Sequence, residues 1–420
     1  MSPVRRLRVA GPGAAAVGQR AGALRRGAAA LGGVAAAIGL LALLARAAPI
    51  LGRGVVERRV ERRFNVLTGV PARRVSDRAR ELHRELFVAD LHADSLLYGR
   101  DLLRRSTVGH VDVPRLIDGG IGLQVLAACV RVPRHLNLER NEDTTDDVRL
   151  LALALGWPPR AWTNGLARAL HLAARARRLA AASGGRLTIV ETATGLADHV
   201  ARRHIDPARA AALLSIEGAA ALDGELGNLD RLADAGYRLF GLTHMVDNLF
   251  GGSSSGVAKG GLTGFGRDLV ARLEDRCVIV DVAHASTATV ADVLAIARRP
   301  VVASHTGVFG AHPSPRNLAD DHVAGIAATG GLVGIGFWPA VTGGLDAAAI
   351  ARSIAHAVHI AGIDHVALGS DFDGAVATPF DASGMVQLTD ALLAEGFVDD
   401  EIGRIMGGNV LRVLEASLPA

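Results

Sequence analysis

The stretch VADLHADSLL, residues 88–97, sets three ionisable side chains, Asp90, His92 and Asp94, two residues apart in an otherwise apolar run. Residues two apart on an extended strand point to the same side. Ionisable groups on a buried strand carry a large desolvation penalty unless something pairs with them. The run therefore reads as a strand whose end carries function.

Seven further β-type runs follow, so the candidate strands are 87–92, 121–130, 212–217, 237–244, 277–284, 300–305, 331–337 and 365–371. Helical runs separate most of them, including 229–235, 266–273, 289–298, 321–329 and 347–361. Apolar strands alternating with helices indicate a parallel sheet covered on both faces. Eight such units predict a closed (β/α)8 TIM-like barrel. A short additional strand is expected near 187–190, and the long segment 131–185 reads as a helical insertion.

The strand ends carry the chemistry. His92 ends the first strand and Asp94 follows it, Glu217 ends the third, His244 the fourth, His284 the fifth, His305 the sixth and Asp371 the eighth. In a barrel these ends converge on one face, where active sites lie. Imidazole and carboxylate together suit Zn²⁺-like ions. A bridged pair of divalent ions can activate a water. Glu217 suits the bridge, His92 and Asp94 one ion, His284 and His305 the other, and Asp371 is left to handle protons. A lone strand-end histidine is more often structural; six polar strand ends are harder to dismiss. GSSSG, residues 252–256, formally matches a nucleophile elbow. Lying in a Gly/Ser-rich stretch, it reads instead as a mobile loop near the site.

Composition narrows the class. Only Cys129 and Cys277 occur, both in apolar runs, so buried free thiols are expected rather than a disulfide. Residues 1–80 hold sixteen Arg and three acids, whereas the remainder holds 30 basic and 39 acidic residues. A negative body argues against nucleic acid as partner. The basic end precedes the uncharged stretch 27–45, GAAALGGVAAAIGLLALLA. Its length as helix, about 28 Å, approaches that of a bilayer core. The expected organisation is a basic cytoplasmic N-terminus (1–26), a transmembrane or signal-anchor helix (27–50), a juxtamembrane helical linker (51–84) and the barrel (85–420). Basic residues ahead of the apolar stretch place the barrel outside the cytoplasm, periplasmic or extracellular. A cleaved signal peptide ending near ARAAP is the alternative.

With these motifs in place, the chain resembles the membrane (renal) dipeptidases, the M19 metallopeptidases of the amidohydrolase-like barrels. The resemblance runs through DLHADSLL, HVDVPRLIDGGIGLQV, SIEG, LTHMVDN, VIVDVAHAS, PVVASHTG, HPSPRNLADD, LGSDFDG and IMGGNVLRVLE, from about residue 87 to 415. It implies a zinc-dependent dipeptidase with two Zn²⁺, the first held by His92 and Asp94, the second by His284 and His305, bridged by Glu217. It also implies that His244 contacts the scissile carbonyl, that Arg316 binds the substrate carboxylate and that Asp371 is the catalytic acid–base. Gly336 stands where many relatives have Asn, and Trp338 where Tyr is common; both are expected to line the substrate pocket. Dipeptides, including those with a C-terminal D-residue, are the implied substrates, and the chain could pair as a homodimer. Rival readings are lactone or cyclic-amide hydrolysis on the same barrel and a non-catalytic membrane-anchored binding protein. Many of the rival hydrolases bridge their metals with a carboxylated lysine, and the single lysine, Lys259, is not at a strand end.

Overall fold

The computed structural model describes residues 53–420. The basic segment 1–26 and the expected membrane segment 27–50 lie outside the described residues. Among the described residues no helix is long and apolar enough to cross a membrane.

Eight parallel strands form the barrel: β1 (Val88–Ala93), β2 (Ile121–Cys129), β3 (Ala210–Glu217), β4 (Tyr237–Gly241), β5 (Ile279–Asp281), β6 (Val302–Thr306), β7 (Leu332–Ile335) and β8 (Val366–Leu368). Their order is β2-β1-β8-β7-β6-β5-β4-β3, and β2 pairs with β3 to close the ring. The additional strand is real: Leu187–Ile189 pairs with the start of β3. β2 and β3 are buried at every position, as expected for strands covered on both faces. Helices lie between the strands, and many begin at a side-chain cap, among them Thr263, Ser286 and Asp346. Leu91, Val125, Leu213 and Ile279 fill the barrel interior, where Val410 and Leu414 of the last helix, Asn409–Ser417, close against them.

Several expectations need correction. β4, β5 and β8 stop before His244, His284 and Asp371, because the chain leaves the ladder there; His284 and Asp371 have φ of 63° and 59°. Cys277 lies ahead of β5 in a left-handed turn and is half-buried, whereas Cys129 is a buried strand residue; both are free thiols. In the insertion, regular helix begins only at Asp147–Ala154 and continues with Gly165–Ala182. The segment expected as a juxtamembrane helical linker is docked on the barrel. Glu61 is fully buried, Val66–Leu67 pairs with Ala377–Thr378, and the Ser76 N–H at the start of helix Asp77–Glu85 donates to Asp390 Oδ1 at 2.9 Å. Its charge pattern reads as solvated because the partners are remote in sequence.

The GSSSG stretch is likewise held. Ser253 and Ser255 are fully buried. The Asp247 carboxylate accepts the amides of Ser253, Val257 and Ala258 at 2.7–2.8 Å.

Candidate metal centre

β1 is irregular in register between Asp90 and Ala93, and this decides where its three ionisable residues go. The simple alternation that would place them together is reset. Asp90 accepts from Ser370 N and Oγ at 2.7 Å each and from Gln124 Nε2 at 2.6 Å, between neighbouring strands. His92 and Asp94 instead enter the site, with His92 Nε2 3.4 Å from Asp94 Oδ2.

Glu217, the last residue of β3, is the hub. Its Oε1 lies 3.6 Å from His92 Nε2, 3.2 Å from His284 Nε2, 3.4 Å from His305 Nε2 and 3.5 Å from His244 Nε2. Gly218 follows with φ 88°, and a Cβ there would stand 3.0 Å from the His244 Cβ, so the turn that aims Glu217 inward needs glycine. His284 and His305 bring their Nε2 atoms within 3.0 Å of each other. His92, Asp94 and Asp371 offer ligand atoms all within 4.8 Å of one another, as do His92, Glu217 and His305. Arg316 is buried beside them, donates from Nη2 to the His305 carbonyl at 2.7 Å and lies 5.9 Å from the Trp338 ring. Trp338 in turn stands 6.1 Å from the His305 ring. A Cβ on Gly336 would come within 2.1 Å of the Trp338 ring, so the glycine makes room for the indole.

His92, Asp94, Glu217, His244, His284, His305, Arg316, Trp338 and Asp371 therefore gather at one face, and Asp90 lies behind it. The electrostatics differ among them. Burial would raise Glu217, but the His244 charge and the contacts with His284 and His305 hold it well below the ordinary carboxylate range. Burial pushes His284 and His305 well below the ordinary histidine value, assisted by the Arg316 charge at His284 and the His92 charge at His305. Burial would lower His92 too, but the Asp94 contact and the carboxylate charges outweigh it and raise the group to about 10. Asp94 is pushed up to about 6 by burial and by the Glu217 charge. Burial lifts Asp371 well above the carboxylate range, with His92 partly opposing and Asp94 and Glu217 adding.

These donors fit divalent cations. Ligation requires neutral imidazole and ionised carboxylate, the states favoured at His284, His305 and Glu217, whereas His92 would give up its proton to a bound cation. His92 Nδ1 and Nε2, Asp94 Oδ1 and His284 Nδ1 are buried without a hydrogen-bond partner, although buried polar atoms are normally satisfied. Cations at the centre of the cluster would give His92 Nε2 and Asp94 Oδ1 a partner.

The sequence reading missed the layer behind the ligands. Ser304 Oγ donates to Asp281 Oδ2 at 2.5 Å and stands 2.9 Å from His305 Nδ1, so Asp281 orients the histidine through the serine. Asp90 does the same for Ser370, the neighbour of Asp371. An aspartate inside an apolar strand was the available signal in both cases. Cys129 Sγ, 3.8 Å from His244 Nδ1, was also not foreseen at the site.

A closed (β/α)8 barrel with histidines and carboxylates at the C-terminal strand ends defines the metal-dependent hydrolase class of barrels. The chain belongs to the membrane dipeptidase family, peptidase family M19, whose sequence profile matches residues 76–418. It is thus a dipeptidase-type hydrolase of a metallopeptidase family. Dipeptidase aclJ of Aspergillus oryzae is 30% identical over 321 residues, covering 73% of this chain and 69% of that protein. Dipeptidase verJ of Clonostachys rogersoniana is 34% identical over 216 residues, covering 50% of this chain and 55% of that protein. A Rhodobacter sphaeroides metallopeptidase, solved with a phosphinate mimic of the dipeptide L-Ala-D-Ala, is 25% identical with a TM-score of 0.64, covering 79% of this chain and 99% of that one.

Proposed function

We propose that this chain hydrolyses dipeptides with two zinc ions held by His92, Asp94, Glu217, His284 and His305, Glu217 bridging. The observation that carries the reading is the convergence of four imidazole nitrogens within 3.6 Å of one Glu217 oxygen, beside an aspartate and a buried arginine. Zinc held there would supply Lewis acidity and lower the pKa of a water nucleophile.

The chain's own groups do the rest. Arg316 binds the C-terminal carboxylate of the substrate through a charge-assisted contact. This favours very short peptides, since a longer one has no carboxylate at that distance. His244, placed beside Glu217, polarises the scissile carbonyl. Asp371 accepts the proton of the attacking water and returns it to the leaving amine. Burial raises its pKa, which strengthens it as a proton acceptor. Trp338 shapes the pocket over Arg316. The dipeptide mimic bound by the Rhodobacter sphaeroides enzyme supports acceptance of a C-terminal D-residue.

Lys259 is exposed in a loop and takes no place at the strand ends, which disfavours the carboxylated-lysine hydrolases. Residues 27–45 would anchor the enzyme to a membrane, with the barrel outside the cytoplasm. Assay of L,L-, L,D- and Gly-D-dipeptides with and without chelator tests the reading. Turnover that chelation does not touch, or no turnover on any dipeptide, overturns it.

A further inference from the structure

Three residues of the loop after β8, Asp371, Asp373 and Ala375, are non-glycine and left-handed, with φ of 59°, 64° and 60°. Side chains disfavour that region, so the loop needs outside restraint to hold it. The restraint comes from the opposite end of the chain.

The helix Arg53–Phe64 buries Glu61 completely and ion-pairs it with Arg100. Arg100 in turn ion-pairs with the fully buried Asp373. The Asp373 carboxylate also accepts from Ser95 Oγ at 2.5 Å and from the His110 amide at 2.6 Å. His110 accepts the Asp373 amide on Nδ1 at 3.0 Å and donates from Nε2 to the Val66 carbonyl at 3.1 Å. The Ala375 amide donates to Asn65 Oδ1 at 3.0 Å. Val66 and Leu67 then pair in parallel with Ala377 and Thr378. Residues 61–67 therefore grip the loop at 373, 375 and 377, while Asp371 stands at its head.

We propose that this N-terminal arm is a positioning element for the reaction: Glu61, through Arg100 and Asp373, and Asn65, through Ala375, fix the backbone that aims Asp371. The inference rests on the reading of Asp371 as the group that moves the proton. It makes the segment just after the apolar stretch part of the catalytic apparatus, so the arm couples the chain's N-terminal region to turnover. Asp371 is the catalytic residue, whereas Glu61 and Asn65 act through others.

The test uses the full chain with Glu61→Gln and, separately, Asn65→Ala. Steady-state dipeptide kinetics, metal content and hydrogen exchange of the peptide covering 369–378 are measured for each. A displaced base lowers turnover without loosening substrate capture, so kcat is expected to fall roughly 10-fold or more while KM stays within about twofold. Metal content is expected to match wild type, with exchange faster at 369–378 than in the barrel strands. A merely structural role would instead raise exchange across the barrel and lose metal and activity together; that result overturns the proposal, as does kcat within twofold of wild type in both variants. Should Glu61→Gln fail to fold, Asn65→Ala, which keeps every charge, decides the matter. A wild-type chain inactive on dipeptides defeats the functional reading, and unchanged exchange at 369–378 in the variants defeats the bracing; the two failures are separable.

Discussion

The two ends of the barrel solve opposite problems. At the closed end, Leu91, Val125, Leu213 and Ile279 meet Val410 and Leu414 in an apolar layer with no charge. At the open end, His92, Asp94, Glu217, His284, His305 and Asp371 are just as buried, yet several of their atoms have no protein partner. Apolar burial stabilises by itself, at about 25 cal/mol per Å². Orphaned polar burial opposes folding, by about 1–3 kcal/mol for each unsatisfied group. A ligand from outside the protein would complete such a layer. The contrast between the ends is therefore the clearest physical sign of where ligands belong.

The sharpest way to break that contrast is to remove what completes the open end. Chelation is expected to reduce dipeptide hydrolysis to background and Zn²⁺ to restore it, and Glu217→Gln is expected to purify with little metal; rates and elemental analysis check both. Active protein without bound metal would erase the distinction.

Asp371→Asn comes next. It keeps the shape and removes the base, so kcat is expected to fall by at least roughly 10²-fold with metal content near wild type. An equal loss of metal would move Asp371 from proton transfer into ligation.

Arg316→Ala removes a contact to a carboxylate that is already ionised before reaction. Losing about 2–3 kcal/mol should raise KM on the order of 30- to 150-fold and leave kcat nearly unchanged. Amidating the dipeptide's C-terminus should weaken wild-type binding similarly and hardly affect the variant. If the amide penalises both proteins equally, Arg316 does not read the carboxylate.

The smallest effect on chemistry is expected from the closed end. Leu213→Ala should lower stability by about 2–5 kcal/mol in denaturant titration. The protein that remains folded should keep kcat and KM within about twofold. A large kinetic effect would mean that the two ends are mechanically coupled rather than separate.

Much of this contrast was legible in the amino-acid order. Local periodicity marked the strands, and a parallel eight-fold alternation left few ways to arrange them. The polar strand ends His92, Glu217 and His305 were visible because they interrupt apolar runs. Less visible was what happens beyond a strand's last ladder bond. His284 and Asp371 read as strand residues, yet each turns left-handed outside its strand, because side-chain pattern does not report φ. Asp90, His92 and Asp94 looked equivalent by spacing until an irregular register separated them.

By itself, then, the sequence determined the barrel, the face on which chemistry lies and the donor types available there. These follow from hydrophobic period and residue chemistry, which are local. Tertiary structure alone decided which donors meet and what steadies them. It brought four histidines around one oxygen of Glu217, set Asp281 behind His305 through Ser304, and joined Glu61 to Asp373 through Arg100. Glu61 and Asp373 lie far apart in the chain, and each by its surroundings in sequence looks like an ordinary surface carboxylate. Only closure of the fold removes both from water, and burial is what turns a common charge into a specific contact.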